Sequence, residues 1–293
     1  MDNSSDSSYL QKNKGPFFAV LSSLCYGINN PMAAYGMQNG VPTIFSVVSR
    51  AVTVFIISLI LAASGKLKFN IPSEVRPHVV VVSITTAIIN LCYVGSINFI
   101  PVSLAAIIFF TFPIQILITT LIREKGSIKN SDILVFAVVF LGLIFVIVPD
   151  FNNINPIGIL LAGISSISAT FLYFAAGVAS KKCHPIILGF WVHLGVIPVL
   201  LLFLILLSPA MVFTNVEILL PVLILSICYV GAYYFQMLSL KFTSVVISGL
   251  FFNTEPLLTA LAAAIILDER LLMSQYLGGL LIFISLVIVS LRK

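Results

Sequence analysis

The sequence predicts an all-α integral membrane protein of ten transmembrane helices, arranged as a five-plus-five inverted repeat. Three observations predict it. Hydrophobic residues make up 60% of the 293 and charged residues only 9%, with a mean hydropathy of +1.16. A soluble domain carries roughly 25% charged residues, so composition alone excludes one. The apolar runs are continuous over the roughly 20 residues a bilayer-crossing helix needs, and do not alternate as barrel strands do. The chain also matches itself without a gap when shifted by 143 residues: Gly15 falls on Gly158, Pro42 on Pro185, Thr111 on Thr254 and Pro113 on Pro256.

Taken in order, the opening "MDNSSDSSYLQKNKG" is polar, and residues 1–14 are expected to form a cytoplasmic tail. It lacks the small-residue cleavage site of a signal peptide, and the apolar run after it is of full spanning length. Spans at 16–37, 42–64, 77–99, 101–122 and 132–149 make up a first repeat over residues 15–149. Spans at 156–179, 185–207, 217–239, 243–267 and 274–291 make up a second over 150–293. Further matches at the same offset include Ser22–Ser23 with Ser165–Ser166, Glu74 with Glu217, Phe99 with Phe242 and Ser131 with Ser274. Five spans is an odd number, so the second copy enters the membrane from the opposite side, as in many secondary transporters.

Charge orients the spans. Of fifteen Lys and Arg residues, thirteen fall on one side, from Lys12 and Lys14 through Lys125 to Arg292 and Lys293; only Arg270 falls on the other, and Arg50 lies within a span. By the positive-inside rule both termini face the cytoplasm of a multi-pass cell-membrane protein, with a bacterial cytoplasmic membrane expected. The net charge of +5 therefore needs no nucleic-acid partner. Cys25, Cys92, Cys183 and Cys228 show no pairing of metal-site or disulfide type. Neither metal nor cofactor is expected.

Polar residues mark which spans line a path. The third span carries Ser83, Thr86, Asn90 and Tyr93 on one helical face, and the eighth carries Ser226, Tyr229, Tyr233 and Gln236 at the matching positions. The first span adds Ser23, Tyr26, Asn29 and Asn30, the fourth Thr111, Gln115 and Thr119, and the ninth Ser248, Glu255 and Thr259. The fifth and tenth are almost wholly apolar. Polar side chains within a membrane face other helices or a cavity, so eight spans are expected around a polar cavity and two outside it.

Only Arg50, His193 and Glu255 are ionisable and deep within spans. Arginine grips a carboxylate through two parallel hydrogen bonds. His193, the repeat counterpart of Arg50, is a second candidate contact. Glu255 costs its span roughly 2.5–3.5 kcal/mol, offset by thirteen Leu, Ile, Phe and Val residues between Phe242 and Leu267. Three roles stay open for it: a proton carrier, a buried partner for Arg50, or a direct substrate contact. The candidate binding residues are Asn29, Asn30, Arg50, Asn90, Tyr93, Gln115, His193, Tyr229, Tyr233, Gln236 and Glu255, with proton coupling at Glu255.

Three stretches resemble a known family. "LCYGINNPMAAYG" resembles the aromatic-Gly-x-Asn opening of EamA-like proteins of the drug/metabolite transporter superfamily. "PTIFSVVSRAVTVFII" is similar to their second helix with its single arginine. "NTEPLLTALAAAIILDERLLMSQYLGGLLIFISLVIV" resembles their C-terminal signature. The resemblance implies ten helices, cytoplasmic termini and small-molecule transport, often export, and carries over onto Asn29, Arg50, Glu255, Pro256 and Glu269. In the first half "IREKGSIKNSD" departs from the family's Leu-Gly-Glu-Arg, leaving Glu124 as the equivalent.

The expected function is secondary transport of small polar metabolites, amino acids first, by an exporter or exchanger working through alternating access. A passive channel and a nucleotide-sugar-type exchanger are the alternatives. Enzymatic activity is not expected: paired aspartates, a Gly-x-Ser-Gly nucleophile and HExxH are missing from the sequence, as is the ATP-gripping GxxxxGK[ST]. The partners expected are a small-molecule substrate, protons, the lipid bilayer and, as one option, a second copy of the chain.

Overall fold

A computed structural model describes residues 3–124, 129–152, 154–207 and 219–291, with side chains from Asn13 onward except that of Leu207. Lys125, Asn153, Glu217, Arg292 and Lys293 lie outside the described residues, and of Lys12 only the backbone is described. All regular structure among the described residues is helical: α1 (Asn3–Gln38), α2 (Thr43–Ser64), α3 (Arg76–Ser96), α4 (Val102–Phe109), α5 (Phe112–Arg123), α6 (Asn130–Ile147), α7 (Pro156–Lys182), α8 (Pro185–Leu207), α9 (Leu219–Phe242), α10 (Val245–Phe252), α11 (Thr254–Ile266) and α12 (Met273–Leu291). Twelve helices make ten spans because α4 and α5 share one span and α10 and α11 another. Nine spans among the described residues are long and apolar enough to cross a membrane by length and composition. α1 supplies the tenth; it is long enough, but its polar start and Asn29–Asn30 dilute its apolar character.

The inverted repeat is visible in the element boundaries. The 143-residue offset carries Val102–Phe109 onto Val245–Phe252, so both broken spans break at the same place. The cause is shared too. Pro113 and Pro256 have no N–H to give to the carbonyls of Phe109 and Phe252, the last residues before each break. Proline is tolerated where a new helix begins, because the first N–H groups are unpaired there anyway. The break in the ninth span therefore falls at Asn253, two residues before Glu255.

The halves interlock. α1 lies along α9 and α3 along α7, while α2 packs on α8, and α6 on α12 at the periphery. Glycines allow the tightest crossings. A Cβ on Gly142 would lie 2.9 Å from the carbonyl of Gly278, and one on Gly27 would lie 2.9 Å from Leu258 Cβ. The second close approach brings α1 against α11. Where α7 ends, Lys182 Nζ pairs with Glu74 Oε2 at 2.8 Å, and Trp191 Nε1 donates to Phe69 O at 2.8 Å, so α7 and α8 are tied to the α2–α3 loop. At the same end His184 accepts from Ile186 N, and partial burial together with the charge of Lys241 holds its pKa below the ordinary histidine value.

Candidate functional site

A cavity of about 180 Å³ lies between the halves. The third and eighth spans face each other across it through Asn90 and Tyr93 on α3 and Tyr229, Tyr233 and Gln236 on α9. Seven spans line it. Neither α6 nor α12 contributes among the described residues, in line with their apolar sequences, and neither does α8. The expectation of eight lining spans is corrected at α8: its one ionisable residue, His193, lies behind the cavity wall.

Arg50 enters from α2. Its Nη1 donates to Asn29 Oδ1 at 3.3 Å and its Nη2 to Asn90 Oδ1. The guanidinium carbon lies 4.9 Å from the centre of the Tyr229 ring, while Nε is buried without a partner. Both asparagines are themselves fixed: Asn29 Nδ2 donates to Leu225 O at 2.6 Å and Asn90 Nδ2 to Thr86 O at 2.8 Å. All of these partners are neutral. They orient the guanidinium and soften its desolvation without cancelling its charge.

Glu255 faces the same cavity from the first turn of α11, where the helix start favours an anion. Asn30 Nδ2 donates to Glu255 Oε1 at 3.2 Å, a contact that the close approach at Gly27 makes reachable. Arg50 and Glu255 line one cavity, yet they form no ion pair: their N···O separation exceeds 4.0 Å. The buried pair that the sequence left open as a role for Glu255 is not formed. Aromatic rings bound the cavity that both residues line. Tyr26 packs edge-on to Tyr229 and lies against Phe252, and Tyr173 meets Phe112 at 5.0 Å and Phe252 at 5.5 Å.

Of the eleven residues proposed from the sequence, Asn30, Arg50, Asn90, Tyr93, Tyr229, Tyr233, Gln236 and Glu255 are brought to this cavity. The other three lie behind its wall. Asn29 is fully buried and acts on the cavity only through Arg50. Gln115 is used up between helices, its Nε2 donating to Ser166 Oγ at 2.9 Å and its Oε1 accepting from Thr170 Oγ1 at 3.0 Å. His193 is fully buried, with Nδ1 2.9 Å from Gly189 O and its ring edge-on to Tyr233 at 4.8 Å. Sequence reasoning left out Tyr173 and the phenylalanines Phe109, Phe112 and Phe252. The repeat held the signal for Tyr173, because it is the counterpart of Asn30.

The arrangement places a guanidinium and a carboxyl group on the wall of one cavity, among aromatic rings. No curated protein matches the chain in sequence. A solved structure described only as "Crystal structure of protein" superposes with a TM-score of 0.80 at 14% identity, covering 96% of this chain and 100% of that one. At that identity the likeness speaks to the fold alone. The model of the EamA-like transporter family matches residues 13–148 and again 156–291, one match to each five-span half. Matched twice over and across nearly its whole length, the chain belongs to the EamA-like transporter family.

Proposed function

We propose that the protein is a secondary, non-ATP transporter of small polar metabolites, amino acids and their derivatives first, exporting or exchanging them by alternating access. The observation behind this reading is that Arg50 and Glu255 line one small cavity without pairing. A zwitterion brings a carboxylate for the guanidinium and an ammonium for the carboxylate. Hydrogen bonds to charged groups contribute about 1.5–3 kcal/mol each. A single guanidinium is few for the diphosphate of a nucleotide sugar. Glu255, held by one neutral donor, also remains the candidate proton carrier.

Counterflow tests the reading. Proteoliposomes preloaded with an unlabelled zwitterionic amino acid are expected to take up the labelled one transiently beyond equilibrium, with a saturable rate. A passive channel gives neither behaviour. A preference for lipophilic cations with no amino-acid response would overturn the substrate class.

We place both termini in the cytoplasm. A cysteine at exposed Asn39 is then expected to react with an impermeant thiol reagent outside the cell, and cysteines at Asn70 or Asn130 to be protected. The reverse pattern would refute the orientation.

A further inference from the structure

The repeat offset maps most of the cavity lining onto itself. Asn30 corresponds to Tyr173, Asn90 to Tyr233 and Phe112 to Glu255, and both members of each pair face the cavity. The cavity therefore lies on the approximate two-fold axis relating the halves. Five lining residues break the pattern: Arg50, Val82, Ile89, Phe110 and Leu172. Their counterparts His193, Leu225, Ala232, Asn253 and Asn29 are buried and do not line this cavity. Contacts follow the same map. Arg50 reaches Asn90 where His193 meets Tyr233, and Asn30 bonds Glu255 where Tyr173 packs on Phe112.

In an inverted repeat the two halves have closely similar folds seen from opposite sides of the bilayer. If the halves exchange conformations, the cavity reopens to the other side and each residue takes over its counterpart's surroundings. The five broken pairs are then the difference between the two states. We propose that in the opposite-facing state His193 replaces Arg50 on the cavity wall and is the side chain that meets the substrate there, while Arg50 withdraws. This rests on the carrier reading above. A separate observation supports it: His193 Nε2 is buried with no hydrogen-bond partner. An unmet buried polar atom costs about 1–3 kcal/mol, a cost relieved when the nitrogen faces a ligand.

The exchange gives transport an asymmetry. A carboxylate gripped by a two-pronged guanidinium on one side meets on the other a single hydrogen bond, given by Nε2 only once His193 is protonated, because its Nδ1 already donates to Gly189 O. Half-saturation is therefore higher on the His193 side. This does no work on the substrate, because in uncoupled exchange a compensating ratio of maximal rates restores equal flux at equal concentration.

Single cysteines at these positions, in a full-length background with the four native cysteines replaced by alanine, test the swap. Membrane vesicles of both orientations are treated with an impermeant thiol reagent. Arg50→Cys and Ile89→Cys are expected to label from one face, and His193→Cys and Ala232→Cys from the opposite face only. If the charged-site variants fail to fold, judged by size-exclusion profile, the Ile89 and Ala232 pair decides alone. Counterparts that stay unlabelled from both faces, or that label from the same face as Ile89→Cys, overturn the proposal. Counterflow on vesicles of the cysteine-free parent, which keeps Arg50 and Glu255, tells the failures apart: intact counterflow with sealed counterparts removes only the swap, whereas absent counterflow removes the carrier reading as well.

Discussion

Glu255→Gln is expected to abolish accumulation of substrate against its gradient while sparing substrate exchange at saturating concentration, with a raised half-saturation because the amide meets the ammonium without a charge. One proton moved down a gradient of one pH unit supplies about 1.4 kcal/mol, enough to concentrate a counter-transported substrate about tenfold. An amide cannot carry that proton, so the variant should reach equilibration and stop. Exchange survives because the amide mimics the protonated acid in size and keeps a carbonyl oxygen for Asn30 Nδ2. The fold should also survive, since no ion pair is broken: Arg50 is held by Asn29 and Asn90 rather than by Glu255. Removing one partner of a true buried pair costs about 3–5 kcal/mol, and the melting temperature would then drop by many degrees. Radiotracer accumulation at imposed pH gradients, with a melting curve on the same preparation, checks both halves of this expectation. Normal accumulation by a well-folded Glu255→Gln protein removes the proton role. A large melting loss partly restored by adding Arg50→Gln makes Glu255 a strut after all.

The ten spans, the repeat and the apolar outer pair α6 and α12 were legible because the bilayer imposes one strict rule, that a long apolar run must be helical. Even the two broken spans left a trace, in Pro113 and Pro256 at one offset. The cavity lining was only partly legible. Asn29, Gln115 and His193 carry the polarity expected of a lining yet lie behind it, because a buried amide or imidazole can be satisfied by a neighbouring helix as well as by a ligand. Gln115 shows the ambiguity: Thr111, Ser166 and Thr170 take both of its amide hydrogens and engage its oxygen. Periodicity gives the face of a helix but not the depth of its neighbour. The aromatic lining was missed for the opposite reason. Tyr173, Phe109, Phe112 and Phe252 look like core residues in any apolar span, and only the geometry of two crossing halves turns them toward a cavity. Asn30 and Tyr173 occupy equivalent places with unlike chemistry, so symmetry pointed to a position that composition did not.

Arg50→Gln is expected to raise the half-saturation concentration for a zwitterionic amino acid by about ten- to a hundredfold, the loss of roughly 1.5–3 kcal/mol of charge-assisted hydrogen bonding. Arg50→Lys should fall between, since it keeps the charge and loses the planar fork. The arginine also braces α2 against α1 and α3 through Asn29 and Asn90, so a general weakening has to be told apart from loss of a ligand contact. The decarboxylated amine of the same amino acid separates them. It has no carboxylate for Arg50, so its transport should be poor in the wild type and change little in Arg50→Gln, whereas the parent amino acid loses most of its advantage. A variant that weakens amine and amino acid by the same factor makes Arg50 a brace and removes the carboxylate contact. A variant whose preference for the amino acid collapses at a similar maximal rate fixes the guanidinium as the group that reads the substrate's anionic end. That outcome leaves Glu255, across the cavity, to meet the ammonium.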